Sequence, residues 1–138
     1  MRPSLALLPI ALASSAIAAD FPRFERSEID PHVGNVCYAV AVADVNGDGK
    51  PDFLYGAGTG ILALNTGKGF AEAKDHGIAY KPGRVGPVFA DFDGDGSPDL
   101  FVPQNGAGKL FRNDGKGKFT DVTARAGDLS RTIGQATC

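Results

Sequence analysis

The sequence lacks an excess of basic residues, a long apolar run and a clear helical periodicity, and each absence excludes a class of protein. Lysine and arginine number 14 against 16 acidic residues, and the formal net charge of −2 argues against a strongly basic nucleic-acid-binding domain. The apolar runs are all shorter than the roughly 20 residues that a membrane-spanning helix needs. The 19 glycines and 9 prolines punctuate turns and argue against a helical bundle. A globular chain of 138 residues remains, enough for one domain with a modest core.

The first 18 residues are typical of an export signal. Arg2 gives a positive start, residues 5–13 are apolar apart from Pro9, and residues 16–18 read Ala-Ile-Ala, which fits the small-x-small cleavage pattern. We expect cleavage before residue 19 or one residue later. The mature chain is then secreted, periplasmic or on the cell surface, and residues 19–32 form an N-terminal extension.

An internal repeat organises the rest of the chain. Residues 43–52 recur, nearly unchanged, as residues 90–99. The match continues downstream, where residues 65–69 align with residues 113–117. We therefore divide the chain into repeat 1 (33–80) and repeat 2 (81–130), because self-similarity of this period is the signature of a repeat architecture. Residues 133–138 resemble residues 33–37 with one insertion, so we interpret residues 131–138 as the start of a third repeat or as an assembly strand.

Each repeat is predicted to form about four short strands. The apolar runs are brief and are bounded by glycine, asparagine and aspartate, as in antiparallel sheets with tight turns. One helical turn is expected within residues 122–126. The predicted strands cover residues 36–43, 52–55, 60–64 and the segment from Phe70 in repeat 1, and residues 87–90, 100–102, 109–112 and 118–122 in repeat 2.

Two acidic loops, loop 1 (44–52) and loop 2 (91–99), carry the candidate chemistry. Carboxylates crowded into nine residues repel one another unless a cation neutralises them, and oxygen at alternate positions allows a turning chain to direct several ligands at one centre. All-oxygen ligands favour Ca²⁺ over zinc or copper. The seventh position of each loop is predicted to contribute a backbone carbonyl, and the glycine at the sixth position permits the sharp turn. The predicted ligands of two Ca²⁺ ions per chain are Asp44, Asn46, Asp48, Lys50 and Asp52 in loop 1, and Asp91, Asp93, Asp95, Ser97 and Asp99 in loop 2.

The EF-hand loop is the nearest alternative, and it disagrees with the sequence in two respects. Its twelfth position requires a bidentate glutamate, whereas the corresponding residues are Tyr55 and Val102. Its flanks are helices, whereas strand-like sequence follows Pro51 and Pro98. A dockerin module fails for the same reasons.

The pattern D-x-[DN]-G-D-G-x-P-D followed by an apolar strand resembles the FG-GAP/VCBS repeat. The segment 110–127 is similar to the secreted bacterial and cartilage-acidic-protein-like branch of that family. The resemblance implies an all-β fold in which each repeat is a four-stranded antiparallel blade of a β-propeller, as in integrin α heads, with a calcium loop between its first two strands. Since a propeller closes with about four to eight blades, two blades are expected to be part of a larger propeller or to be completed by self-assembly.

The function expected from these features is a non-catalytic structural, adhesion or self-assembly role. The alternatives are a lectin-like module that binds carbohydrate, or the N-terminal fragment of a longer secreted propeller protein or enzyme. The expected partners are further blades, copies of the chain, and a carbohydrate or extracellular protein as ligand, without nucleic acid or a transmembrane segment. Cys37 and Cys138 allow an internal disulfide, an intermolecular one, or pairing outside this sequence. The basic residues around Arg112 are interpreted as a solvated hairpin face.

Overall fold

Two four-stranded antiparallel sheets make up the fold. The computed structural model describes residues 25, 26, 28, 39–55, 60–80, 86–104 and 107–129. Each sheet is a simple meander in which neighbours in sequence are neighbours in space. Sheet 1 contains β1 (Val40–Ala43), β2 (Asp52–Tyr55), β3 (Ile61–Asn65) and β4 (Phe70–Glu72), and sheet 2 contains β5 (Val88–Ala90), β6 (Asp99–Val102), β7 (Lys109–Asn113) and β8 (Phe119–Asp121).

The predicted strands are confirmed within the described residues, with ends that shift by one or two positions. A 3-10 turn at Thr123–Arg125 lies inside the segment predicted to form one helical turn. The described residues contain no helix that is long and apolar enough to cross a membrane. The export signal, most of the N-terminal extension, both cysteines and residues 131–138 lie outside the described residues.

The sheets stack face to face, and the core lies between them. Because side chains alternate along a strand, each sheet has a front face and a back face. The front face of sheet 1 carries Leu54 and Leu62, whereas the back face of sheet 2 carries Leu100 and Phe111. These two faces meet, so neither repeat can bury its apolar residues alone. The buried cluster comprises Ala41, Val45, Leu54, Leu62 and Ile78 from repeat 1 and Leu100, Val102, Phe111 and Phe119 from repeat 2.

Hydrogen bonds connect the repeats across this core. The buried Asn113 side chain donates from Nδ2 to the carbonyl of Val45 at 2.9 Å. The backbone N–H of Phe119 donates to the carbonyl of His76 at 2.8 Å. The chain approaches so closely there that a Cβ at Gly77 would lie 2.1 Å from the Phe119 carbonyl oxygen. Segments following sheet 1 are therefore fixed against the last strand of sheet 2.

An ion pair connects β7 to the edge strand β8 of sheet 2. Lys109 Nζ lies 2.7 Å from Asp121 Oδ2, and the Thr123 hydroxyl and backbone N–H both donate to Asp121 Oδ1. Partial burial opposes the shift, but these hydrogen bonds lower the pKa of Asp121 to about 2.

Acid titration of Asp121→Asn measures what this ion pair contributes. Because the folded-state pKa is lowered, the contribution is fully present above pH 3.8, the unperturbed value, and is lost as the pH falls towards about 2. We expect Asp121→Asn to lower the free energy of unfolding by at most about 1 kcal/mol at pH 6, since the pair is solvent-exposed. The difference from the unaltered protein should shrink below pH 3.8 and vanish as the pH falls through about 2 in urea titrations. A difference that stays constant from pH 6 to 2 contradicts the prediction.

Candidate metal centres

The first aspartate of each acidic loop organises the loop backbone. The carboxylate of Asp44 accepts hydrogen bonds from three backbone N–H groups, at 2.7–3.1 Å. Asp91 accepts the corresponding three bonds at 2.8–3.1 Å. Gly49 and Gly96 have φ values of +81° and +89°, so the turn predicted at the sixth position is confirmed and requires glycine in both loops.

The last aspartate of each loop is buried and joins the loop to the sheet. Asp52 is 0% exposed and accepts hydrogen bonds from the backbone N–H of Val45 at 3.0 Å and of Asn65 at 2.8 Å. Asp99 repeats this arrangement with Phe92 at 3.2 Å and Asn113 at 2.9 Å. Charged acceptors of two backbone donors hold their position strongly. Each of these side chains therefore fixes the start of its loop against the third strand of its sheet.

Three carboxylates converge at loop 2. One oxygen from each of Asp91, Asp93 and Asp99 lies within 4.8 Å of the others. Two of these side chains are exposed and the third is buried at the base of the loop. Hard oxygen donors at this spacing match the ligands that Ca²⁺ accepts. Loop 1 carries Asn46 where loop 2 has Asp93, so it offers an amide oxygen in place of one carboxylate.

Cationic side chains of the protein contact the remaining acidic positions. In loop 1, Lys50 Nζ lies 3.0 Å from Asp48 Oδ2. The hydrogen bond from this Lys50 side chain is the main reason that the pKa of Asp48 falls below its usual value. In loop 2, the Arg112 guanidinium binds Asp93 at 2.5 Å and Asp95 at 2.8 Å. The negative charge of each loop is thus partly balanced from within the chain.

Arg112 is a site residue that the sequence analysis missed. The side chain is exposed, as expected for a solvated hairpin face, but that interpretation did not include its ion pairs with two carboxylates of loop 2, which raise its pKa. The pKa of Asp95 is lowered, first by the Ser97 backbone N–H and then by Arg112. Its position directly before Asn113 lies beside loop 2 only after β7 has paired with β6, so the sequence alone provided no signal for this contact. Sheet 1 has Leu64 at the corresponding position, so the two loops differ electrostatically.

The predicted ligands lie in two compact loops that connect the first and second strands of each sheet, and the last ligands, Asp52 and Asp99, are the first residues of β2 and β6. The structure brings Asp91, Asp93 and Asp99 together and directs Asp95 to Arg112. At the seventh positions, Lys50 and Ser97 donate their backbone N–H groups to the fifth-position carboxylates at 2.9 and 2.8 Å. Their carbonyl oxygens as ligands remain a prediction. In loop 1, Asp44, Asn46, Asp48 and Asp52 occupy the positions that correspond to those of loop 2.

Comparison with protein families gives two overlapping matches to one model. The model describes an FG-GAP-like repeat, and it matches residues 44–102 and 91–137. Together the matches span residues 44–137, which is more than half of the chain. Each match begins at the first aspartate of an acidic loop. Neither the comparison with curated proteins nor the comparison with solved structures gives a significant match.

Proposed function

Because this chain belongs to the FG-GAP-like repeat family, we propose that it is an exported calcium-binding repeat protein with a non-catalytic structural role in adhesion or assembly. The observation that carries the proposal is the convergence of the carboxylates of Asp91, Asp93 and Asp99 within 4.8 Å. The repetition of the loop in both sheets supports a structural role, since each copy lies at the end of its sheet between two strands.

The donor set of loop 2 fits a calcium ion. Asp91, Asp93, Asp95 and Asp99 supply carboxylate oxygens, with the Ser97 carbonyl as a further oxygen. Ca²⁺ accepts six to eight such ligands in flexible geometry. A bound ion would supply positive charge that relieves the repulsion between carboxylates, and the chain would supply a loop already ordered by its own hydrogen bonds. Loop 1 would bind a second ion through Asp44, Asn46, Asp48, Asp52 and the Lys50 carbonyl.

Thermal unfolding with and without calcium tests this proposal. Affinity in the micromolar to millimolar range is expected for exposed sites outside the cell. At calcium concentrations tenfold above the dissociation constant, each ion adds about 1.4 kcal/mol to the free energy of unfolding. We therefore expect the melting midpoint to rise on adding calcium and to fall on adding EDTA. An unchanged midpoint contradicts calcium binding.

A pair of charge-matched variants separates ligation from general acidity. Asp93→Ala removes one of the three converging carboxylates and leaves no oxygen in its place. Glu72→Ala removes the same charge from an exposed residue of β4, where Glu72 pairs with Lys74. We expect Asp93→Ala to lose the share of the calcium-dependent rise in midpoint that loop 2 contributes, and Glu72→Ala to keep the full rise. Equal losses in the two variants would mean that only net charge matters.

The exported location follows from the N-terminal segment in this proposal. Extracellular calcium is abundant enough to occupy sites of millimolar affinity, so an exported chain can rely on it for stability. The chain would then act through its sheet faces, either with further blades of a propeller or with other copies. Amino-terminal sequencing of the protein purified from its native host tests the expected cleavage after residue 18 or 19. Recovery of the intact Met1 terminus contradicts it.

A further inference from the structure

Corresponding positions of the two repeats differ sharply in exposure. Val45 and Phe92 both follow the first aspartate of their loops. Val45 is 0% exposed, whereas Phe92 is 52% exposed. The cause is the turn between β7 and β8 of sheet 2, since a Cβ at Gly117 would lie 3.7 Å from Val45 and 3.8 Å from Leu64. Among the described residues, no equivalent turn covers Phe92.

The front face of sheet 2 is open in the same way. Leu54 and Leu62 on the front face of sheet 1 are fully buried, but their counterparts Phe101 and Leu110 are only partly buried. A Cβ at Gly47 would lie 3.6 Å from the Gly115 carbonyl oxygen. At the corresponding Gly94, nothing described lies within 4 Å. A concavity of about 340 Å³ marks this face, lined in part by Phe92, Leu110, Arg112 and Val122.

The back face of sheet 1 is the complementary surface. Its counterpart, the back face of sheet 2, is buried against sheet 1, and Phe119 there is 3% exposed. Phe70, the counterpart of Phe119, is only partly buried and packs edge-on to Phe53 at 5.0 Å between ring centroids. Val42 on the same face is 51% exposed. This surface therefore has the composition of a buried sheet face, but the described residues include no second sheet packed on it.

Asn65 has the side chain needed for an equivalent hydrogen bond across such an interface. In sheet 2, Asn113 Nδ2 donates both to Pro98 O within its sheet and to Val45 O across the core. Its counterpart Asn65 makes the first bond, to Pro51 O at 3.3 Å. The hydrogen bonds of Asn65 that the structure gives stay within sheet 1. The Asn65 side-chain amide thus makes the same local hydrogen bond as that of Asn113. Its second N–H can donate to a carbonyl outside sheet 1.

We propose that the back face of sheet 1 docks on the front face of sheet 2 of a second copy, in the arrangement that sheet 2 already has on sheet 1 within the chain. The turn at residues 65–69 of one copy then fills the concavity beside Phe92 of the other, and Asn65 donates to the Phe92 carbonyl. A second copy is the occupant because one chain carries both complementary surfaces, and the interface continues one that already exists. The contact is heterologous because it joins two different surfaces of the chain. Successive copies then form a ring if the rotation between neighbours closes, and a filament if it does not.

Sedimentation of two surface variants and their mixture tests the proposal, which rests on the proposed assembly role but not on calcium binding. Phe92→Asp places a charge in the front face of sheet 2, and Val42→Asp places one in the back face of sheet 1. Both side chains are about half exposed, so folding should survive, and far-ultraviolet circular dichroism checks this. Ala71→Asp adds the same charge on an exposed residue outside both surfaces.

We expect the full chain to sediment at twice the chain mass or more at tens of micromolar in calcium, and Ala71→Asp to behave identically. Phe92→Asp and Val42→Asp should each weaken association about tenfold or more, because a charge is buried without a partner. An equimolar mixture of the two should form one-to-one dimers and nothing larger, since each retains one intact surface. A monomeric full chain, or a mixture that stays monomeric, overturns the proposal. The calcium melting experiment is independent of this outcome.

Discussion

The Asp52→Ala variant is expected to lose about 3–5 kcal/mol of unfolding free energy, even after a chelator has removed divalent cations. The Asp52 side chain is fully buried and accepts the backbone N–H groups of Val45 and Asn65. Alanine leaves both donors in the core without an acceptor. A buried donor that loses a charged acceptor loses the hydrogen bond and retains the cost of its desolvation. Urea unfolding in EDTA measures the effect.

Two companion variants define what Asp52 contributes. Asp52→Asn keeps one acceptor oxygen. Its free energy of unfolding should therefore lie between those of the unaltered protein and the alanine variant. Asp48→Ala removes an exposed carboxylate of the same loop, which binds Lys50 at the surface. Its effect in EDTA should be much smaller than that of Asp52→Ala. If Asp48→Ala and Asp52→Ala lower the free energy of unfolding equally, burial of Asp52 does not explain its contribution.

The Asn113→Ala variant is expected to lose about 2–4 kcal/mol, because it removes the side chain that joins the two sheets. Asn113 is 1% exposed and donates to carbonyls in both repeats, and its own oxygen accepts from the Gly115 N–H. Alanine breaks these bonds and leaves a cavity between the sheets. Thermal and urea unfolding should both show the loss.

Asn65→Ala is the matched control for the bond between the sheets. Asn65 makes the same two local contacts, to Pro51 O and from the Gly67 N–H, on an only partly buried side chain. We expect it to lose about 1 kcal/mol or less when measured at dilutions where the chain is monomeric. The difference between the two variants is the contribution of the bond to Val45 and of the buried site around it. Equal losses would show that this bond contributes nothing.

The strands could be predicted because glycine, asparagine, aspartate or proline marks most of their ends. The chain turns at Gly49 and Gly96 and again at the Asn-x-Gly sequences after β3 and β7, so the strand limits follow from local chemistry. Which faces meet could not be predicted. The strands β2 and β6 are apolar on both sides, and alternation alone does not say which side the other sheet covers.

The candidate site was predicted in its composition and only partly in its geometry. The positions of the aspartates indicated oxygen ligands, but spacing could not separate exposed ligands from the buried Asp52 and Asp99, which also hold backbone N–H groups. The contact of Arg112 with loop 2 depends on the register of β7 against β6. That register is set by long-range strand pairing, which the local sequence does not specify. Long-range pairing therefore accounts for what the sequence analysis missed.

The bond between Asn113 and Val45 joins residues separated by 68 positions in the chain. This large separation in sequence affects the order of folding events. Closing so long a loop costs chain entropy before the contacts between the sheets repay it. During synthesis, the front face of sheet 1 has no cover until β7 and β8 have left the ribosome, and sheet 1 cannot complete its core earlier. We therefore expect the two sheets to complete folding together, after both repeats have been synthesised, and sheet 1 alone to expose its apolar front face.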